Sequence, residues 1–138
     1  MEVLRSYYQA LLAEAYAISG QADKGLELLA DALASVQKTG EGGSEAELHR
    51  IRGELLMMRG EAEDLAEESF RKAIEIARRQ QAKSWELRAA TSLSRLLHKQ
   101  GKQDEARRIL SEIYNWFTEV FGTADLKDAR SLLEELAG

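Results

Sequence analysis

Apolar residues recur at intervals of three and four along most of the chain, the spacing of a helix that packs through one face. In the first such segment the stripe consists of Leu4, Tyr8, Leu11, Ala15 and Ile18. The sequence contains no proline and is rich in strong helix formers, which favours helices throughout. We therefore predict an all-α fold with seven helices, at about 3–19, 22–38, 45–59, 62–80, 84–99, 103–120 and 124–137.

Three glycines divide this series into similar units. Gly20, Gly60 and Gly101 are spaced by 40 and 41 residues, and they open the similar phrases SGQADKGLELLADAL, RGEAEDLAEESFRKAI and QGKQDEARRILSEIY. Glycine at the end of a helix permits the left-handed backbone conformation that commonly closes it. We expect one domain, 1–138, built from helix hairpins at about 3–38, 45–80 and 84–120 and a capping helix at about 124–137.

Local signals support some of the helix starts. Ser44 and Glu47 have the spacing of a capping box, and Ser84 and Thr123 are candidate N-caps of the fifth and seventh helices. The join between the fourth and fifth helices, RQQAKS, contains neither glycine nor proline. Its boundary is therefore predicted from periodicity alone.

The turn glycines and the small and large residues that follow them resemble the tetratricopeptide repeat. The matching positions are Gly60, Ala66, Phe70 and Ala73 in the second hairpin and Gly101, Ala106, Leu110 and Ile113 in the third. Phrases such as AEAYAISGQADKGLELLADAL, AELHRIRGELL and WFTEVFGTADLKDARSLLEEL further resemble the C-terminal helical repeats of bacterial regulators that join a class III nucleotide cyclase to a signalling ATPase. The resemblance implies a right-handed superhelix that serves as a regulatory module in signalling.

Composition narrows the function classes. A formal net charge of −5 disfavours nucleic acid as a partner, because phosphate backbones attract surplus positive charge. The chain has no cysteine, which rules out disulfides and thiolate metal sites and suits a reducing cytoplasm. It shows neither a signal-peptide pattern nor a long apolar run. We expect a cytoplasmic protein that binds neither nucleic acid nor membrane.

The sequence offers no set of residues for catalysis. Its two histidines, His49 and His98, have no recognisable serine or cysteine partner, and no phosphate-binding loop is present. A zinc site would need three or four converging ligands, which the spacing does not provide. We expect no enzymatic activity, no metal and no cofactor.

Gly53 and the aromatic residues are interpreted as packing features. Gly53 lies mid-helix, where glycine costs about 1 kcal/mol relative to alanine, so we expect a close helix approach there. The larger aromatics are expected to lie mostly in the core: Trp85, Trp116, Phe117 and Phe121. Trp116 and Phe117 are adjacent, so they cannot both belong to one narrow apolar stripe.

The resemblance also implies a concave groove lined by the first helix of each hairpin. Counting back from the turn glycines places eight residues there: Tyr7, Glu14, Glu47, Arg50, Glu54, Arg88, Arg95 and His98. One hypothesis is that Arg50, Arg88 and Arg95 bind carboxylates of an extended peptide. The alternative is that they pair with acids of the chain itself: Glu47, Glu54 and Glu86.

The first helix presents apolar residues around much of its circumference, which makes Tyr7, Tyr8 and Leu12 a candidate self-association face. The function that we predict is a non-enzymatic interaction or regulatory scaffold, which binds a protein or peptide segment or docks on catalytic domains of a larger parent protein. The alternatives are a homo-oligomerisation element, with a homodimer as partner state, and a small-molecule or peptide sensor.

Overall fold

In a computed structural model the chain is all-helical. The structure describes residues 2–39, 44–60, 63–117 and 124–137, and these residues contain no strand. The helices are α1 (Glu2–Ile18), α2 (Ala22–Thr39), α3 (Glu45–Arg59), α4 (Glu63–Arg79), α5 (Lys83–Lys99), α6 (Gln103–Tyr114) and α7 (Ala124–Ala137). The all-α prediction is confirmed, and every helix end except that of α6 lies within one residue of its predicted position.

Each helix packs on the next one in sequence, and the odd-numbered helices also contact one another in the order α1, α3, α5, α7. One part of the core joins α1, α2 and α3 around Leu29, Leu48 and Leu55. A larger part runs from α3 to α7. The odd-numbered helices therefore form a continuous row, in which charged side chains from four helices meet.

The turns between helices depend on left-handed residues. Gly20, Gly60 and Gly101 have φ angles of 77°, 73° and 81°, as the spacing predicted. After α4 the same conformation is taken by Gln81, with φ of 57°, while the Ala82 amide donates to the Ala77 carbonyl at 2.8 Å. The join without glycine therefore uses the same type of turn as the others.

Of the predicted helix caps, Ser44 has the expected position but not the expected bonds, and Ser84 is not a cap. Ser44 is the N-cap of α3 but makes no side-chain cap hydrogen bond, and the Glu47 carboxylate is bound to arginines, so the two residues do not form a capping box. The N-cap of α5 is Ala82, so Ser84 lies inside the first turn. Thr123 lies outside the described residues.

Helix α6 is shorter than predicted. It ends at Tyr114, and residues 115–117 form a turn; residues 118–120 lie outside the described part. Phe117 packs against the core, whereas Trp116 is 57% exposed. The centre of the Trp116 ring lies 5.2 Å from Lys83 Nζ. Because the chain leaves the helix before these two aromatics, only Phe117 contacts the core, and the core assignment of Trp116 is wrong.

Other expected core positions also differ. Met58, which its spacing from Leu48, Ile51 and Leu55 predicts on the core face of α3, is 50% exposed. Trp85 is half-buried against a small cluster of Ala46, Ile76 and Ala77. Phe121 lies outside the described residues.

The stripe predicted for α1 lies on the exposed side of that helix. Its described members are exposed: Tyr8, Leu11, Ala15 and Ile18. The side chain of Leu4 is outside the described set. The core side of α1 consists instead of Ala10, Ala13 and Ala17. These small residues let α1 approach closely: a Cβ at Gly25 of α2 would lie 3.3 Å from the Ala13 carbonyl oxygen.

Gly53 marks a close approach, as predicted. A Cβ at this position would lie 2.4 Å from Cε1 of Phe70, whose ring is 1% exposed. The Phe70 ring of α4 therefore packs directly on the backbone of α3.

Candidate functional site

Charged side chains from α1, α3 and α5, all among the residues predicted to line a groove, form one network, which we call the groove network. Arg50 of α3 donates from Nε to Glu47 Oε2 at 2.6 Å and from Nη2 to Glu14 Oε2 of α1 at 3.1 Å. Arg88 of α5 also donates to Glu47 and lies 3.8 Å from Glu14. Arg50 and Glu47 are 8% and 4% exposed, so the centre of this groove network is shielded from water.

The groove network continues onto α7, which supplies three acids that were not predicted to lie there. The α7 acids are Asp125, Asp128 and Glu135. Arg88 Nε lies 3.6 Å from Asp125, Arg95 donates to Asp128, and His98 Nδ1 lies 4.0 Å from Glu135. Only the docking of α7 on α5 brings these acids to the groove, so spacing within the sequence gives no signal for them.

Two other glutamates have partners away from the groove arginines. Glu54 Oε1 accepts a hydrogen bond from Ser92 Oγ at 2.6 Å. Glu86 is paired with Arg78 at 2.9 Å and Lys83 at 3.4 Å. The predicted pairing of groove arginines within the chain thus occurs through Glu47, while Glu54 acts on Arg50 only through its charge and Glu86 is paired with Arg78 and Lys83.

Neighbouring carboxylates stabilise the charged form of Arg50 although its side chain is buried. Burial by itself lowers the pKa of Arg50, but the charge and hydrogen bonds of Glu47 and the bond to Glu14 outweigh it and raise the pKa above its ordinary value. Arg88 and Arg95 also have carboxylate partners within the chain. A partner's carboxylate would have to compete with these pairs, and binding of a peptide by the three arginines stays a prediction.

The space beside the groove network is small. The cavity between α3, α5 and α7 measures about 110 Å³ and has Arg50, Arg88, Arg95 and Asp128 among its lining residues. Pockets for small organic ligands are typically about 300 Å³ or larger. The cavity therefore has room for water or a single side chain, not for an enclosed organic ligand.

The apolar face of α1, formed by Tyr7, Tyr8, Leu11, Leu12 and Ile18, is the largest set of exposed apolar side chains on one described helix. Their exposed fractions are 44%, 65%, 44%, 47% and 85%. At about 100° per residue they lie on one side of α1, opposite its alanines. Three of them, Tyr7, Tyr8 and Leu12, were predicted as a self-association face, whereas Leu11 and Ile18 were predicted to pack in the core.

Comparisons of the chain with models of protein families, with curated proteins and with solved structures give no match. Within the described ranges, no helix is both long enough and apolar enough to cross a bilayer. The same residues include no group of three or more histidine, aspartate or glutamate side chains arranged to hold a metal ion. The two sites described so far are the groove network and the apolar face of α1.

Proposed function

We propose that the chain is a non-enzymatic protein-interaction module that docks through the apolar face of α1. The observation that carries this proposal is the placement of large apolar side chains on the exposed side of α1 and of alanines on its core side. A helix that is apolar on both sides is normally buried on both. Contiguous exposed apolar residues typically mark a protein-protein interface.

The packing of α3 and α5 indicates what kind of surface would cover the apolar face of α1. Helix α3 is covered by α1 and α2, and α5 is covered by α3 and α4. Helix α1 has no such preceding pair among the described residues. Because stacked helical units bury their apolar faces against a neighbour, the surface that covers α1 is helical and apolar.

The occupant that we propose is a second copy of the chain. The stretch SYYQALLA, residues 6–13, carries no charge, although the whole chain has a net charge of −5. Two copies therefore approach through α1 with little repulsion, and a two-fold axis places the same face on both sides of the contact. Each α1 is about 25 Å long, so the buried area is at or below the lower end of about 1,200 Å² for stable interfaces, and micromolar affinity is expected.

A tetratricopeptide-type superhelix is part of the proposal. It is supported by the spacing of 40 and 41 residues between the left-handed glycines and by the contacts between successive odd-numbered helices. A regulatory place in a bacterial cytoplasmic signalling protein, next to cyclase and ATPase domains, rests on the sequence resemblance alone.

Light scattering over a concentration series tests the proposed function. The mass measured for the wild-type chain should increase from the monomer value of 15.5 kDa towards twice that value as its concentration passes through the micromolar range. The double variant Tyr8→Ser and Leu12→Gln should remain at the monomer mass with unchanged helical circular dichroism. Leu65→Ser is the matched control, because Leu65 is also exposed, at 45%, but lies on α4.

A wild-type chain that stays monomeric at every concentration would contradict pairing of two copies. If Leu65→Ser also remained at the monomer mass, association would depend on exposed apolar residues in general and not on α1. This result too would contradict the proposal.

A further inference from the structure

Arg52 differs from the groove arginines in having no carboxylate partner among the described residues. It lies on α3, is half-buried, and donates from Nη1 to Ser69 Oγ of α4 at 2.6 Å. Ser69 is 2% exposed. A half-buried guanidinium held only by a neutral hydroxyl retains most of its capacity to bind an anion.

An open cleft of about 340 Å³ between α3 and α4 contains this guanidinium. The residues that line the α3–α4 cleft are His49, Arg52, Glu68, Ser69, Arg71, Lys72 and Glu75. Arg71 is already committed to Glu67 at 2.9 Å and Glu105 at 3.3 Å. Among the described residues, the carboxylate partner of Lys72 is Glu75, in a long contact of 3.8 Å. Arg52 and Lys72 are therefore the two cations available to a ligand in the cleft.

We propose that the α3–α4 cleft binds a phosphate group, as a phosphate monoester dianion, through Arg52, Ser69 and Lys72 with His49 beside it. The donors come from both walls: His49 and Arg52 are one turn apart on α3, and Ser69 and Lys72 are one turn apart on α4. Donors that converge from two helices suit the oxygens of a tetrahedral anion better than a planar carboxylate. The proposal is independent of docking through α1.

His49 supplies a local readout for occupancy of the cleft. Burial, followed by the charges of Lys72 and Arg52, lowers the pKa of His49 to about 4. A bound dianion neutralises those two cations, so it raises the pKa of His49. The charged groups that face the imidazole are Glu45 and Arg52 on α3 and Glu68, Arg71, Lys72 and Glu75 on α4.

Nuclear magnetic resonance titration of the two histidines in the full chain tests the proposal. Sulfate is the first probe, because it stays a dianion over the whole titration, and inorganic phosphate is the second. Either anion should raise the pKa of His49 by about one unit or more. His98, on α5 beside Glu135, should be unchanged and is the internal control. A His49 signal that does not respond to either anion would overturn the proposal.

Two charge-removing variants locate the site. Lys72→Gln should weaken sulfate binding about tenfold, the effect of losing one charge-assisted contact. Arg79→Gln removes the same charge from the exposed end of α4 and should leave the affinity unchanged. Arg52→Gln should abolish binding, but it also leaves Ser69 without its donor, so Lys72→Gln decides the matter if Arg52→Gln unfolds. Equal weakening by Arg79→Gln would overturn the assignment.

Two monoesters then distinguish the sources of such a phosphate. A short phosphoserine peptide represents a modified protein, and ribose 5-phosphate represents a metabolite. Stronger binding of either one than of sulfate supports the proposal and identifies the class of ligand. If neither monoester binds while sulfate does, the cleft holds an adventitious ion only and the proposal is overturned.

Discussion

Helices α1 and α3 begin consecutive hairpins but distribute side-chain size in opposite ways. On α3 the large apolar residues, including Leu48 and Leu55, are fully buried, and Gly53 faces the ring of Phe70. On α1 the buried residues are alanines and the large ones are exposed. Among the described helices, four contact α3 and two contact α1. The difference is the one expected if α1 needs a further neighbour to complete its packing.

The same substitution on the two helices should have very different effects on stability. Leu48→Ala in α3 should lower the free energy of unfolding by about 3 kcal/mol, because Leu48 is 0% exposed and its removal leaves a cavity. Leu12→Ala in α1 should change it by about 0.5 kcal/mol or less, because Leu12 is 47% exposed. Urea unfolding at a concentration where the chain is monomeric measures both. Comparable losses would mean that the two faces of α1 are assigned the wrong way round.

The close packing of Phe70 on Gly53 provides a second test of the difference between α3 and α1. Gly53→Ala should destabilise the chain by about 2 kcal/mol, although alanine is the better helix former, because the new Cβ collides with the buried ring of Phe70. Adding Phe70→Leu should recover part of the loss, and a double-mutant cycle measures that coupling. A stabilising Gly53→Ala would contradict the close approach of α4 to α3.

A smaller effect on the free energy of unfolding is expected from pH, through His49 of α3. The pKa of His49 is about 4 in the folded chain against an ordinary 6.5, so between these values the unfolded chain takes up a proton that the folded chain does not. The free energy of unfolding should therefore decline as pH falls from 6.5 to 4. Solvent screening limits the His49 contribution to about 1–2 kcal/mol.

Comparison with His49→Gln isolates this contribution from that of the carboxylates. The variant should lose the part of the decline that belongs to His49. Identical profiles for the wild type and His49→Gln would show that the ring is not held neutral by its surroundings.

The turns and helix limits were predictable because they depend on local chemistry. A left-handed residue closes a helix most easily as glycine, and Gly20, Gly60 and Gly101 mark that position in the sequence. Gln81 adopts the same conformation without being glycine, and this turn left no signal. The local rule therefore finds most turns of this chain but not all of them.

The orientation of α1 was not predictable by periodicity, because a helix with apolar residues on two opposite faces fits two stripes equally well. The larger residues, such as Tyr8 and Leu11, suggested the wrong stripe. Which face is buried depends on the close approach of α2, where Gly25 meets the backbone at Ala13. That approach is a tertiary contact and has no local signature.

The candidate sites depended in the same way on contacts between distant segments. The groove arginines were identified in sequence, but their partners Asp125 and Asp128 come from α7. The pairing of Arg52 with Ser69 joins residues of two helices and was missed altogether. Side-chain chemistry was therefore visible in the sequence, whereas its pairing was not.

The most direct test of docking through α1 is site-specific cross-linking, which the chain permits because it contains no cysteine. Leu12→Cys should form a disulfide-linked dimer rapidly under mild oxidation, since a two-fold contact through α1 brings the two sulfurs together. Leu65→Cys, on α4, should form one only at the slow rate of random collision. Equal rates for the two variants, or a faster reaction of Leu65→Cys, would contradict the claim that the apolar face of α1 pairs two copies of the chain.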